Sequence, residues 1–160
     1  KGRLGRTWIS PRGGLYFSII LKPKIRVGDA VKLVFVASLA VAETLRDLYG
    51  LNAETKWPND VLVDGKKVCG ILAEMSSMGE HLKFVVLGVG VNANFNVREK
   101  FPKKLQKTAT SLQEVLDRKV ESMGKSFLKN CWRSLKTFTL VSCRVVLCKF
   151  WKSGKSLQVF

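Results

Sequence analysis

The sequence predicts a mixed α/β (α+β) domain built on a largely antiparallel sheet packed with helices. Three observations carry this: the alternating stretch Leu15–Leu21, a helix-period segment ending at Gly50, and two short apolar runs joined through Asp64-Gly65. A two-residue turn can join only antiparallel neighbours, and a helix must bury its apolar stripe against the sheet that they form.

The elements follow in order. From Gly14 to Leu21, the side chains of Leu15, Phe17, Ile19 and Leu21 share one face while Tyr16, Ser18 and Ile20 take the other, which is the period of a half-buried strand; Pro23 stops it. Asp29 is then placed to cap a helix carrying Leu33, Ala37, Ala40, Ala42 and Leu45, with Gly50 as its left-handed stop. Residues 53–57 and 61–63 read as short strands. Asp64-Gly65 suits a tight hairpin turn because both positions must reach positive φ, and 67–75 is the returning strand. Residues 82–91 read as a strand closing the sheet. Ser111-x-x-Glu114 is a capping box that opens a helix to about residue 118.

Composition sets limits. The chain has 160 residues, room for one domain, and carries 28 Lys and Arg against 12 Asp and Glu, a net charge of +16. An anionic partner is expected. The longest uncharged apolar stretch, residues 33–42, is far short of the ~20 residues that a membrane span needs, so no membrane association is expected. The start at Lys-Gly-Arg lacks the pattern of a secretion signal, which points to a fragment of a cytoplasmic protein. Four cysteines without a CxxC pair, and His81 as the single histidine, suggest reduced thiols and no protein metal site. Residues 121–160 hold 8 basic groups and 1 acid, and their apolar residues keep neither a clean helical nor a clean strand period. A boundary is therefore expected near Val120, dividing a domain (1–120) from a basic tail (121–160) that is helical or disordered. A divergent helical pair and a frame-shifted or chimeric end each account for such a tail.

Three clusters could carry chemistry. Lys1-Gly2-Arg3-Leu4-Gly5-Arg6-Thr7-Trp8 joins glycines, which let backbone approach an anion, to cations and a flat aromatic face. Lys56-Trp57-Pro58-Asn59-Asp60 precedes the hairpin, and of Lys66 and Lys67 beyond the turn one must face the sheet's binding side; Lys67 is the candidate and Lys66 the solvent-facing residue. Gly88-Val89-Gly90-Val91-Asn92-Ala93 loosely matches a dinucleotide loop, but Asn94-Phe95-Asn96 and Pro102 leave no helix to follow it, so a nicotinamide or flavin site is not expected.

Taken together, KGRLGRTW, SPRGGLYFS, KWPNDV, GKKVCGIL and GVGVN resemble, in order and spacing, the catalytic domain of biotin protein ligases over about residues 1–120. The resemblance implies a class II synthetase-like fold and two reactions: ATP and biotin give biotinyl-AMP, and a lysine of a biotin carboxyl carrier protein domain then takes the biotin. Lys67 and Arg3 are the implied catalytic residues. Lys1, Arg3 and Arg6 would meet phosphate and carboxylate, Gly2 and Gly5 would allow close backbone approach, and Trp8 would pack near adenine. Lys56, Asn59, Asp60 and Asn92 would belong to the nucleotide site, and Gly70 would let backbone lie against the ligand, while Trp57 and Pro58 shape their loop. Mg2+ is expected with the nucleotide. Lys1 stands where that family usually has Arg, which loses a bidentate fork. The family's upstream biotin-ring segment does not precede Lys1 here, so a truncated domain of weak or no activity is expected. The same resemblance leaves a homodimer open and includes no DNA-binding domain. A lipoate-protein ligase of the same fold and a basic nucleic-acid-binding module are the alternatives.

Overall fold

In the computed structural model, residue 5 and residues 7–120 and 124–137 are described in full, and the backbone alone at 123, 138, 148–152 and 155–159. The elements are β1 (Leu15–Leu21), α1 (Lys32–Tyr49), β2 (Ala53–Lys56), β3 (Asp60–Val63), β4 (Lys66–Met78), β5 (His81–Val91), the short helices α2 (Val97–Lys100), α3 (Lys103–Gln106) and α4 (Leu112–Leu116), the long helix α5 (Met123–Phe138), and β6 (Cys148–Lys152) and β7 (Lys155–Val159). The sheet runs β2-β3-β4-β5-β1-β6-β7, and every pairing in it is antiparallel.

β5 does not close the sheet as expected; it lies inside, between β4 and β1. Its composition explains the position. Val85, Leu87, Val89 and Val91 are buried in the core, and Val86, Gly88 and Gly90 on the other face are also uncharged, so both faces suit an interior strand.

The core lies between one sheet face and helices α1 and α5. β1 contributes Leu15, Phe17, Ile19 and Leu21, and α1 contributes Leu33, Ala37, Val41 and Leu45, each at most 5% exposed. Gly50 ends α1 with φ 65°, as its sequence position requires. Asp29 does not cap α1. It sits in a 3-10 turn (Val27–Asp29), three residues before the helix, and its carboxylate bonds the side chains of Arg26 and Lys32. Those two cations hold the Asp29 carboxyl below its ordinary pKa, Lys32 contributing more than Arg26.

The expected boundary near Val120 does not interrupt this core. Phe127, Leu128, Cys131 and Leu135 of α5 are all buried, and the Phe127 ring meets Phe17 of β1 edge-on at 6.5 Å between centroids. Their spacing of one, three and four residues is helical, but it is diluted when 121–160 is taken as a unit. Residues 121–122, 139–147, 153–154 and 160 of the expected tail lie outside the described residues.

The Asp64-Gly65 turn has φ 50° and 74°, the double positive φ expected of it. Beyond the turn the register slips: Leu62 pairs Lys67, yet Val61 pairs Cys69, leaving Val68 as the extra residue of a β-bulge.

Candidate active site

The bulge decides where Lys67 points. In a regular strand Lys67 would share a face with Cys69 and Ile71, which are buried in the core. The extra Val68 shifts the parity by one, so Lys67 joins Gly70 and Leu72 on the opposite face, where all three line a cavity of about 580 Å³. Lys66 is left exposed, as expected.

The floor of this cavity is one transverse row of the sheet. Tyr16 pairs Gly90, Gly90 pairs Gly70, and Gly70 pairs Asp60, so β1, β5, β4 and β3 each present one residue along a line. The two middle positions have no side chain. Trp8 occupies the space they leave: a Cβ added at Gly90 would lie 2.5 Å from the indole, and one at Gly70 2.7 Å. The glycines of the GVGVN segment therefore serve inside a strand and not in a phosphate-binding turn.

At the edge of the floor, Lys67 Nζ stands 2.6 Å from Asp60 Oδ1 and 5.2 Å from the centre of the Trp8 ring, a cation held between a carboxylate and a π face. The main chain of Lys67 is gripped as well. Its N–H donates to Thr108 O (2.8 Å) and its carbonyl accepts from Thr110 N–H (2.9 Å), so the segment between α3 and α4 runs beside the bulge as a short parallel bridge at Ala109. Asn92, at the end of β5 and 2% exposed, reinforces the grip. Its amide nitrogen donates to Thr110 O at 2.9 Å and to Lys67 O at 3.4 Å, and its N–H donates to Val68 O. Asn92 belongs to the cavity lining, and its Oδ1 is buried with no hydrogen-bond partner among the described residues.

The bridging segment is itself anchored by the predicted capping box. Ser111 Oγ accepts from Glu114 N–H and donates to Phe95 O, while the Glu114 carboxylate accepts from the N–H groups of Ser111 and Val97. The helix that it opens is shorter than expected, ending at Leu116 with Asp117 at φ 50°.

Asn59 lines the cavity, but its amide nitrogen is committed to Ile71 O at 2.8 Å, and Ile71 N–H returns a bond to Asn59 O. It ties the loop to β4. Lys56 is exposed and lies outside the cavity lining. Pro58 follows a cis peptide bond and lines the cavity, whereas Trp57 is 72% exposed and lies outside the lining. Gly5 has φ 72°, a backbone conformation natural to glycine. Lys1, Gly2, Arg3 and Arg6 lie outside the described residues.

Reading the motifs did not single out Tyr16, Thr108 or Thr110. The first was assigned only to the strand's other face; burial raises its phenol pKa, and its hydroxyl donates to Pro11 O at 3.1 Å. The two threonines act here through main-chain groups, which leave no signature in residue type.

An antiparallel sheet with helices on one face and a glycine-floored, lysine-edged cavity on the other defines a small-molecule site suited to anionic, flat ligands. The chain belongs to the biotin/lipoate A/B protein ligase family, whose model matches residues 1–92. It is 36% identical over 125 residues to the bifunctional ligase/repressor BirA of Bacillus subtilis, covering 78% of this chain and 38% of that protein. Identity to the biotin–[acetyl-CoA-carboxylase] ligase of Paracoccus denitrificans is 43% over 94 residues, covering 58% of this chain and 39% of that one. Among solved structures, the biotin protein ligase from Aquifex aeolicus in complex with biotin and ATP superposes with a TM-score of 0.71 at 34% identity, over 86% of this chain and 56% of that one. An archaeal lipoate protein ligase from Thermoplasma acidophilum, at 18% identity and a TM-score of 0.58, shares the fold. The chain thus spans less than two fifths of the length of these two curated relatives.

Proposed function

We propose that this chain carries the adenylate site of a biotin protein ligase. In the first step a biotin carboxylate oxygen attacks the α-phosphorus of ATP and pyrophosphate leaves; in the second, a carrier lysine amine attacks the carboxyl carbon, AMP leaves, and the amine loses a proton. Both steps concentrate negative charge between a carboxyl group and the α-phosphate. The observation that carries the reading is Lys67, a cation delivered to the cavity edge by a bulge and held there by Asp60 and by a main-chain clamp. A fixed cation at that position stabilises charge as it develops, without reorganisation at the moment of reaction.

The rest of the cavity supports the same substrates. The outer face of Trp8 offers a stacking plane for adenine beside the lining residue Asn92. Asp60 holds Lys67, and Gly70 and Gly90 keep the floor low enough for the indole. Lys1, Gly2, Arg3, Gly5 and Arg6 belong, on this reading, to a segment that meets the phosphate and the biotin carboxylate. Mg2+ would, on this reading, enter on the oxygens of the nucleotide phosphates. Among the described residues no helix is long and apolar enough to cross a membrane; we place the protein in the cytoplasm with a biotin carboxyl carrier domain as its acceptor.

The test, on the protein at its full natural length, is pyrophosphate release from ATP that depends on added biotin, with biotinyl transfer to a carrier domain as the second readout. Release that depends on lipoate and not on biotin would replace this reading with the lipoate one.

A further inference from the structure

The geometry points to a docking surface for the acceptor domain at the cavity mouth, with Trp57 as its apolar anchor and the cations of the α2–α3 segment as its charged rim. This inference rests on the ligase reading and concerns how the protein substrate is recognised.

Trp57 is the most exposed of the large apolar side chains among the described residues, at 72%. Its loop is not free: the two bonds between Asn59 and Ile71 fix it to β4, and the next three residues, Pro58, Asn59 and Asp60, all line the cavity. An indole held in water beside the opening costs solvation and contributes nothing to the core, yet aromatic residues in that setting are the usual anchors of protein interfaces. Phe101, Leu105 and Thr108 line the same cavity, and the chain around them exposes Arg98, Lys100, Lys103, Lys104 and Lys107 against a single acid, Glu99. The partner that fits is an acidic protein domain presenting an amine-bearing lysine beside an apolar residue. Its lysine reaches the Lys67 edge while the apolar residue meets Trp57, and its acids meet the α2–α3 cations, which steer the encounter.

The test separates docking from chemistry by using two acceptors. With biotin and ATP, hydroxylamine can discharge the mixed anhydride: its nitrogen attacks the carboxyl carbon, AMP leaves, a proton is released, and a hydroxamate forms without any docked protein. With a biotin carboxyl carrier domain as the other acceptor, Trp57→Ala is expected to raise the KM for the carrier by about tenfold or more, with hydroxamate formation unchanged and with rescue by Trp57→Phe. Lys103→Glu combined with Lys104→Glu is expected to raise the same KM and to flatten its salt dependence, leaving the KM for ATP unaltered. An unchanged carrier KM in both variants, or an equal loss of hydroxamate formation, overturns the docking surface. All of these comparisons use the protein at its full natural length, and absence of hydroxamate from that unmodified protein overturns the ligase reading itself, and this inference with it.

Discussion

Lys67 Nζ lies 2.6 Å from Asp60 Oδ1, so the cavity's cation is paired across β3 and β4 before any ligand enters. The two side chains are only 31% and 26% exposed, which limits solvent screening of the contact. Lys67→Ala removes the cation from the reaction's charged centre and is expected to slow biotin-dependent pyrophosphate release by about 10²–10³-fold. Asp60→Asn leaves the cation present but less fixed. A smaller loss, about tenfold and mainly in kcat, is expected there, read by the same assay. Equal losses in both variants would mean that Asp60 acts on substrate directly.

The glycine floor makes a second prediction. A methyl group at Gly90 would press into the indole of Trp8 at 2.5 Å, and the ring must move. Gly90→Ala is expected to raise the KM for ATP and to shift Trp fluorescence. Overpacking of this kind typically costs about 1–3 kcal/mol, and here the yielding group is a side chain outside the sheet, so thermal unfolding should show the low end of that range. An unchanged KM would separate Trp8 from nucleotide binding.

Helix α5 supplies a third. Phe127 is fully buried against Phe17, and Phe127→Ala should destabilise the fold by about 3–5 kcal/mol in denaturant unfolding. Lys129→Ala, an exposed position on the same helix, should leave the midpoint in place. Equal midpoints for both variants would remove α5 from the core.

The fourth concerns alkaline pH. Cys69 is wholly buried, and burial pushes its thiol pKa up, with neighbouring Cys131 adding to the rise. The folded state therefore keeps the neutral thiol while the unfolded chain ionises above its ordinary pKa of about 8.5. Stability from this group is present in full below that pH and declines as pH rises above it. Stability curves from pH 7 to 10 should slope downward, and Cys69→Ala should flatten the slope; a native thiol that reacts readily with iodoacetamide at pH 8 would contradict the assignment.

How far the sequence reveals this site varies by residue. The alternation of β1, the Asp64-Gly65 turn, the Ser111–Glu114 box and the Gly50 stop are local, and each is legible because one residue type answers one backbone need. Lys67 was reachable as one of two adjacent lysines, but the device that turns it toward the cavity, the bulge at Val68, depends on pairing with β3 and leaves no mark in a buried valine. Asp29 has the chemistry of a cap but stands two residues before the cap position, Val31, and its carboxylate is taken by Arg26 and Lys32. The α5 residues Phe127, Leu128, Cys131 and Leu135 carried a helical period that was readable at that scale, and a shortage of acids obscured it. Asn59 and Asn92, expected in the nucleotide site, both line the cavity, yet each spends its amide nitrogen on the protein's own carbonyls, a division of labour that residue type alone does not disclose.

The clamp on Lys67 is written entirely in main-chain atoms, the carbonyl of Thr108 and the N–H of Thr110. The side chain of Thr108 takes no part in that grip and can be exchanged without touching the lysine's footing. Proline at 110 would delete the donor outright. The stretch beside the cavity is thus strict in its path, and for the lysine the course of the backbone there matters more than the letter at 108.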